Sequence, residues 1–379
     1  MAHSVYFRLL SLFSIPASGN RKYGLDILRA YAILSVMVGH TAEPLMPKSW
    51  HVVLWLFYDG VAIFFVLSGF LIGGILIKTV EQQPASWAVL LDFWKRRWIR
   101  TVPPYLLVLL CLFFWYWLQE KPDVTLGMTA KFLLFLQNLR NPHPFYFQEA
   151  WSLSVEEWFY LLTPTGIFIT IRLLRLSPRR AVLLTALGVL VSVTLYRYYK
   201  FTFFPPQSVL EWDQHYRKIV ITRLDALMYG VIGAYVQHYH GHLWRHTKTW
   251  TLSLGIIIYF ISQIFTFSHT SIYGSVFSFI IPGLVTLLVL PAAGEMKPCR
   301  GVLYRTLTHI SLISYSLYLL HLSVILTEIL IPMARTYDFP APVSLALFWV
   351  MSLGAATLMY KYFEVPVMRL RNRLKPLKQ

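Results

Sequence analysis

Stretches of about 20 apolar residues, the length an α-helix needs to cross a hydrocarbon core, recur along the whole of this 379-residue chain. Basic clusters or Pro and Gly separate them, and ten fit, at roughly 25–42, 53–77, 103–119, 153–171, 181–200, 223–238, 249–267, 272–290, 310–331 and 342–362. The pattern predicts an all-α, polytopic integral membrane protein of about ten transmembrane helices. One apolar stretch, 128–139 (MTAKFLLFLQNL), is too short to span and reads as a re-entrant or interfacial helix on the outer face.

Charge gives the direction of threading. The chain carries 34 Lys and Arg against 17 Asp and Glu, a formal net charge of +17. In a soluble protein that excess would suggest nucleic acid; here it reads as topology. With both termini cytoplasmic, 24 of the cations fall inside and 10 outside, as the positive-inside rule requires. Making 128–139 a span would invert everything after it and move most of the later cations outside.

No repeat, low-complexity tract or long linker interrupts the spans, so one membrane domain is expected over 23–366. A basic cytoplasmic tail follows at 367–379. Before it, residues 1–22 contain Phe7 to Ile15 ahead of Pro16-Ala17-Ser18, a weak likeness to a signal peptide that is read as a retained interfacial segment. Cys111 and Cys299 give no disulfide framework.

An ionisable residue inside a span is costly and is by default a functional candidate. The first span, GLDILRAYAILSVMVGH, holds three. Asp26 and Arg29 lie one turn apart near its inner end. His40 follows Arg29 by eleven residues, which returns to nearly the same face about 16 Å further out. Two readings stand: an interfacial ion pair with a snorkelling histidine, or a cation and a titratable base on one functional stripe. In the second span, Ser68, Gly69, Gly73 and Gly74 suit close helix packing, with a backbone approach to a ligand as the functional option. Ser68 is in no nucleophile elbow.

The cluster FWKRRWIRTVPPY precedes Pro103-Pro104 at the start of the third span. Its cations are topogenic or bind lipid head groups; alternatively Arg96 and Arg100, at i and i+4, present paired guanidinium forks to the phosphates of a nucleotide. In WSLSVEEWFYLL, Ser154 and Glu157 have capping-box spacing. Glu156 has none, and is either a carboxylate favoured by the helix dipole or a partner for a base or sugar hydroxyl at the depth where His40 emerges. Arg223 and Asp225 in TRLDALMYG read as a buried ion pair, and His321 in SYSLYLLH as a mid-span hydrogen bonder near Tyr315 and Tyr318. The histidine-rich HYHGHLWRH (238–246) lacks acidic or Cys partners and is read as a solvated turn, with no metal site.

Taken in order, these motifs resemble the acyltransferase-3 family of integral membrane acyltransferases, many of which O-acetylate bacterial surface glycans. The likeness runs from GLDILRA at residue 24 to FEVP at 363–366. It implies that His40 is the catalytic histidine, that Arg96 and Arg100 are the family's cytoplasmic arginine motif, and that Glu156 is its essential-looking glutamate. FFVLSGFL, TRLDALMYG and SYSLYLLH look like further signatures. The chain ends soon after the tenth span, so the hydrolase-like domain that some members append is not expected.

The resulting expectation is an O-acyltransferase of the bacterial inner membrane, with acyl-CoA, acetyl-CoA first, as donor substrate and no bound cofactor. Arg29, Arg96 and Arg100 would hold the nucleotide phosphates, and Ser68 and Gly69 would line the acyl-CoA path. His40 and Glu156 would act on a glycan or other hydroxyl acceptor, with Asp26, Arg223, Asp225 and His321 in support. A transporter of a lipid-linked glycan is the rival, since buried charges suit it too. The missing internal repeat and the arginine pair favour the enzyme.

Overall fold

The protein, represented here by a computed structural model, is described over residues 21–121, 124–265, 267–297 and 301–373. Among the described residues there are helices and turns and no strand. The principal helices are α1 (Tyr23–Leu45), α2 (Gly60–Gln82), α3 (Trp87–Leu118), α4 (Leu126–Leu133), α5 (Ala150–Leu173), α6 (Pro178–Phe203), α7 (Asp225–Tyr239), α8 (Lys248–Ile264), α9 (Ile280–Gly294), α10 (Val302–Leu320) and α11 (Ala341–Met359). Helix α10 runs on as a π-helix over His321–Leu330 and then Ile331–Tyr337. Helix α11 continues through a π-helical turn, Tyr360–Glu364, into Val365–Arg373. The interfacial segment expected before residue 21, Cys299 and the last residues of the basic tail lie outside the described residues; Cys111 is an exposed free thiol.

Six of these helical stretches are long and apolar enough to cross a membrane, namely Tyr23–Leu45, Lys48–Gln82, Trp87–Leu118, Pro178–Phe203, Val302–Tyr337 and Ala341–Leu370. The other four expected spans fall on α5, α7, α8 and α9. Helices α7 and α9 have 15 residues and α8 has 17, so they reach about 22–26 Å, short of the ~30 Å hydrocarbon core. Helix α5 is long enough, at 24 residues, but carries Glu156, Glu157 and Arg172. The segment expected to be too short to span gives α4, eight residues long, which starts at a Thr125 cap whose hydroxyl accepts from the Met128 N–H at 3.1 Å. Just beyond its end, Phe135 turns left-handed at φ 56°.

Two expectations about helix ends are overturned. Pro103 and Pro104 sit inside α3, not at its start. They cannot donate to the carbonyls of Ile99 and Arg100, and the neighbouring Thr101 carbonyl accepts from Tyr315 Oη at 2.6 Å. The capping box does not form either: α5 begins at Ala150, so Ser154 and Glu157 lie within it, both buried. Ser154 Oγ instead donates to the Ala150 carbonyl, 3.2 Å away, and accepts from Gln137 Nε2.

The described residues form two compact units, one drawn from 1–60, 96–121 and 297–379 and the other from 61–95 and 122–296. In the first, α1 packs along α10, and α11 packs on both. Burial in a bilayer rewards close packing more than removal from water, and the fully buried positions of α1 mix small and large side chains: Ala30, Ala32, Ile33, Met37 and Thr41. In the second unit, α5, α6, α7, α9 and α8 pack in that succession. Helix α2 crosses α7 with backbones in contact. A Cβ on Gly69 would stand 1.9 Å from the Leu227 carbonyl oxygen, and one on Gly230 would stand 2.0 Å from that of Val66. The small residues at this crossing are therefore explained by helix packing.

Candidate active site

In the first unit, the N-terminal end of α1 carries more than the expected Asp26–Arg29 pair. The buried Asp26 carboxylate receives Arg29 Nη1 at 3.5 Å, Arg21 Nε at 2.8 Å with Arg21 Nη2 on its other oxygen, and the Ser311 hydroxyl at 2.8 Å. Two guanidinium groups around one carboxylate leave a net positive charge. Arg21 and Ser311 went unrecognised in the sequence: the first precedes the helix, and the second lies 285 residues away from Asp26.

Further along α1, half-buried His40 meets His321, with His40 Nδ1 2.8 Å from His321 Nε2 and the two rings inclined by 15°. His321 is completely buried, at the point where α10 changes from α- to π-helix. Its Nδ1 lies 2.9 Å from the carbonyl oxygens of both Leu317 and Tyr318. A π-helical turn inside an α-helix is a frequent mark of a functional position. In the same unit Arg96 and Arg100 lie on one face of α3, half-buried and exposed respectively.

In the second unit, α2 and α5 bring together two motifs that the sequence kept apart. Glu156 accepts from Ser68 Oγ at 2.8 Å through Oε1 and from Tyr160 Oη at 2.9 Å through Oε2. Two hydroxyl donors, one on each oxygen, fix the carboxylate plane. Tyr160 lies one turn beyond Glu156 on the same helix, the signal that spacing could have supplied.

Asp225, expected to pair with Arg223, instead pairs with Arg197 of α6, Oδ2 to Nη2 at 2.7 Å, while Arg223 lies in the turn that precedes α7. Arg197 Nη1 also donates to the Thr222 carbonyl at 2.8 Å. Arg223 lies over the Phe279 ring, 4.6 Å from its centroid, and 5.8 Å from that of Phe65. The histidine-rich stretch also has an acidic partner after all: Glu81, at the end of α2, receives Tyr239 Oη at 2.7 Å and lies 2.9 Å from His238 Nε2. His242 and His246 belong to a one-turn helix, Gly241–His246, and not to an open turn. No group of three or more metal-ligating side chains occurs among the described residues. A cavity of about 710 Å³ lined by Arg175, Ser177, Arg179, Arg180, Leu183 and Tyr235 contains none of the expected site residues.

Outside the spans, His143 is buried in the segment between α4 and α5, its Nε2 2.9 Å from the Phe147 carbonyl and its ring edge-on to Phe132. Burial, against the pull of that carbonyl, holds its imidazole down to about 4.

Comparison with known proteins places this geometry in context. A family model, Acyl_transf_3, described as an acyltransferase domain, matches residues 22–361. The O-acetyltransferase OatA of Staphylococcus aureus (strain NCTC 8325 / PS 47) is 31% identical over 185 residues, covering 45% of this chain and 28% of that protein. A putative peptidoglycan O-acetyltransferase of Bacillus subtilis, YrhL, is 28% identical over 187 residues, 45% of this chain and 28% of its own. The peptidoglycan O-acetyltransferase OatA of Listeria monocytogenes is 24% identical over 397 residues, 92% of this chain and 56% of its own. The chain thus matches between about a quarter and just over half of the length of these relatives. No solved structure matches.

Proposed function

The chain belongs to the acyltransferase family whose model it matches from residue 22 to 361, and from that premise we propose that it is a membrane-embedded O-acetyltransferase of the bacterial inner membrane. It takes an acetyl group from acetyl-CoA at the cytoplasmic side and passes it to a hydroxyl of a glycan at the outer side. The observation that carries this reading is His40: a histidine on a membrane helix, one of its ring nitrogens engaged by a second, buried histidine. A histidine so held is suited to move a proton at neutral pH.

In this scheme the phosphates of the donor dock on Arg96 and Arg100, with the net positive group around Asp26 and Arg29 adding to the attraction. The acceptor hydroxyl attacks the thioester carbonyl carbon while His40 takes its proton. The tetrahedral intermediate then collapses, the C–S bond breaks, and the CoA sulfur leaves with the proton that His40 returns. Glu156, oriented by Ser68 and Tyr160, is the second catalytic group of the proposal. The names of the relatives support a cell-wall glycan as acceptor class. Ten spans with both termini cytoplasmic, the domain over 23–366 and its basic tail belong to the same proposal; α5, α7, α8 and α9 would complete the count beside the six helices that are both long and apolar enough.

Mass spectrometry of surface glycans from cells with and without this protein tests the reading. Loss of an O-acetyl group on deletion, and its return on re-expression, is expected; an unchanged acetylation pattern contradicts it.

A further inference from the structure

We infer that His321 is a positioning residue that sets the tautomer of His40, leaving Nε2 of His40 as the basic nitrogen. The inference rests on the proposed role of His40 and adds which atom acts and what makes it do so.

The assignment follows from hydrogen-bond bookkeeping. The Leu317 and Tyr318 carbonyls can only accept, and both lie 2.9 Å from His321 Nδ1. That nitrogen therefore carries a hydrogen. If the ring is neutral, its Nε2 holds a lone pair and can only accept. His40 Nδ1, 2.8 Å away, must then be the donor. A neutral His40 with its proton on Nδ1 has its lone pair on Nε2.

A doubly protonated His321 is the alternative, and its surroundings oppose it. The side chain is 0% exposed, and its ring nitrogens face the His40 ring and the Leu317 and Tyr318 carbonyls. An imidazolium there would be a buried charge with no counter-charge against either ring nitrogen. The change from α- to π-helix at His321 places the ring where its Nδ1 reaches the last carbonyls of the α-helical part while Nε2 points to α1. The arrangement has the form of an orienting group behind a general base, in which a neutral imidazole does what a carboxylate does in other bases. When His40 takes a proton at Nε2, the hydrogen bond from its Nδ1 to His321 becomes charge-assisted and strengthens.

Two polar substitutions separate this role from a structural one. Gln at 321 keeps an acceptor where Nε2 now lies. Asn keeps a donor near the Nδ1 position but leaves no acceptor for His40. Steady-state acetyl transfer from labelled acetyl-CoA by purified protein is the primary readout. His321→Gln is expected to keep kcat within about tenfold, whereas His321→Asn loses roughly 100-fold or more, with KM for acetyl-CoA within about threefold in both. Nitrogen-15 NMR of histidine-labelled protein reads the tautomer directly: Nδ1 of His40 is protonated in the parent and in His321→Gln, and the two tautomers mix in His321→Asn. Equal activity of the two variants, or a folded His321→Gln protein as inactive as His321→Asn, overturns the inference. A His40 protonated on Nε2 in the parent overturns it as well. His40→Ala is the internal control: if it is inactive while His321→Asn is fully active, the positioning role fails and the proposed base stands; if it is active, both fail.

Discussion

Arg197 and Asp225 form an ion pair at 2.7 Å with both side chains shut off from solvent, 0% and 1% exposed. The pair ties α6 to the start of α7, and the Thr222 carbonyl accepts a further hydrogen bond from the same guanidinium. A buried pair of this kind adds little over an apolar replacement, but breaking it strands a charge.

Asp225→Asn and Arg197→Met are each expected to destabilise the protein by about 3–5 kcal/mol. The double variant Arg197→Met with Asp225→Leu should be less destabilised than either single change. Thermal unfolding in detergent, together with the amount of protein recovered from membranes, measures this. Additive losses in the double variant would mean that the pair is not the source of the effect.

Glu156 holds two hydroxyl donors, so Glu156→Gln removes the charge with little change of shape. Acetyl transfer should fall about 100-fold or more at normal protein levels. Ser68→Ala and Tyr160→Phe each leave one donor and should cost about tenfold or less. Activity of Glu156→Gln equal to that of the parent would remove the carboxylate from the chemistry.

Arg96 and Arg100 share a face of α3, and each is proposed to meet donor phosphates. Calorimetry with CoA should show affinity reduced about tenfold or more by either change to Ala, as loss of a hydrogen bond to a charged group entails. Added salt should weaken binding less in the variants than in the parent. Unchanged affinity would return the cluster to a purely topogenic role.

Burial keeps the folded-state His143 neutral down to about 4, against an ordinary value of 6.5. The unfolded chain therefore binds a proton first, and stability is lost as pH falls from about 6.5 toward 4. Between pH 7 and pH 5 the loss is about 2 kcal/mol. His143→Gln removes that titration. Denaturation at the two pH values should show a smaller drop in the variant than in the parent; equal drops would place the acid sensitivity elsewhere.

Local spacing carried much of this into the sequence. The first span, expected over 25–42, is helix Tyr23–Leu45, and Asp26 meets Arg29 as one-turn spacing requires. What the sequence hid depends on contacts between distant segments. His40 and His321 are 281 residues apart, and Ser68 and Glu156 are 88 apart. Arg197 and Asp225 are 28 apart and belong to different helices, α6 and α7. The Ser154–Glu157 spacing misled because the helix starts four residues earlier than Ser154, at Ala150. A capping motif describes an end only where the chain ends its helix there.

Acetyl transfer from labelled acetyl-CoA to a glycan acceptor, compared between the purified protein and purified His40→Ala at equal concentration, decides whether His40 is the base. The parent is expected to transfer, and the variant to lose roughly 100-fold or more. Transfer by His40→Ala at the parent's rate would rule His40 out as the base.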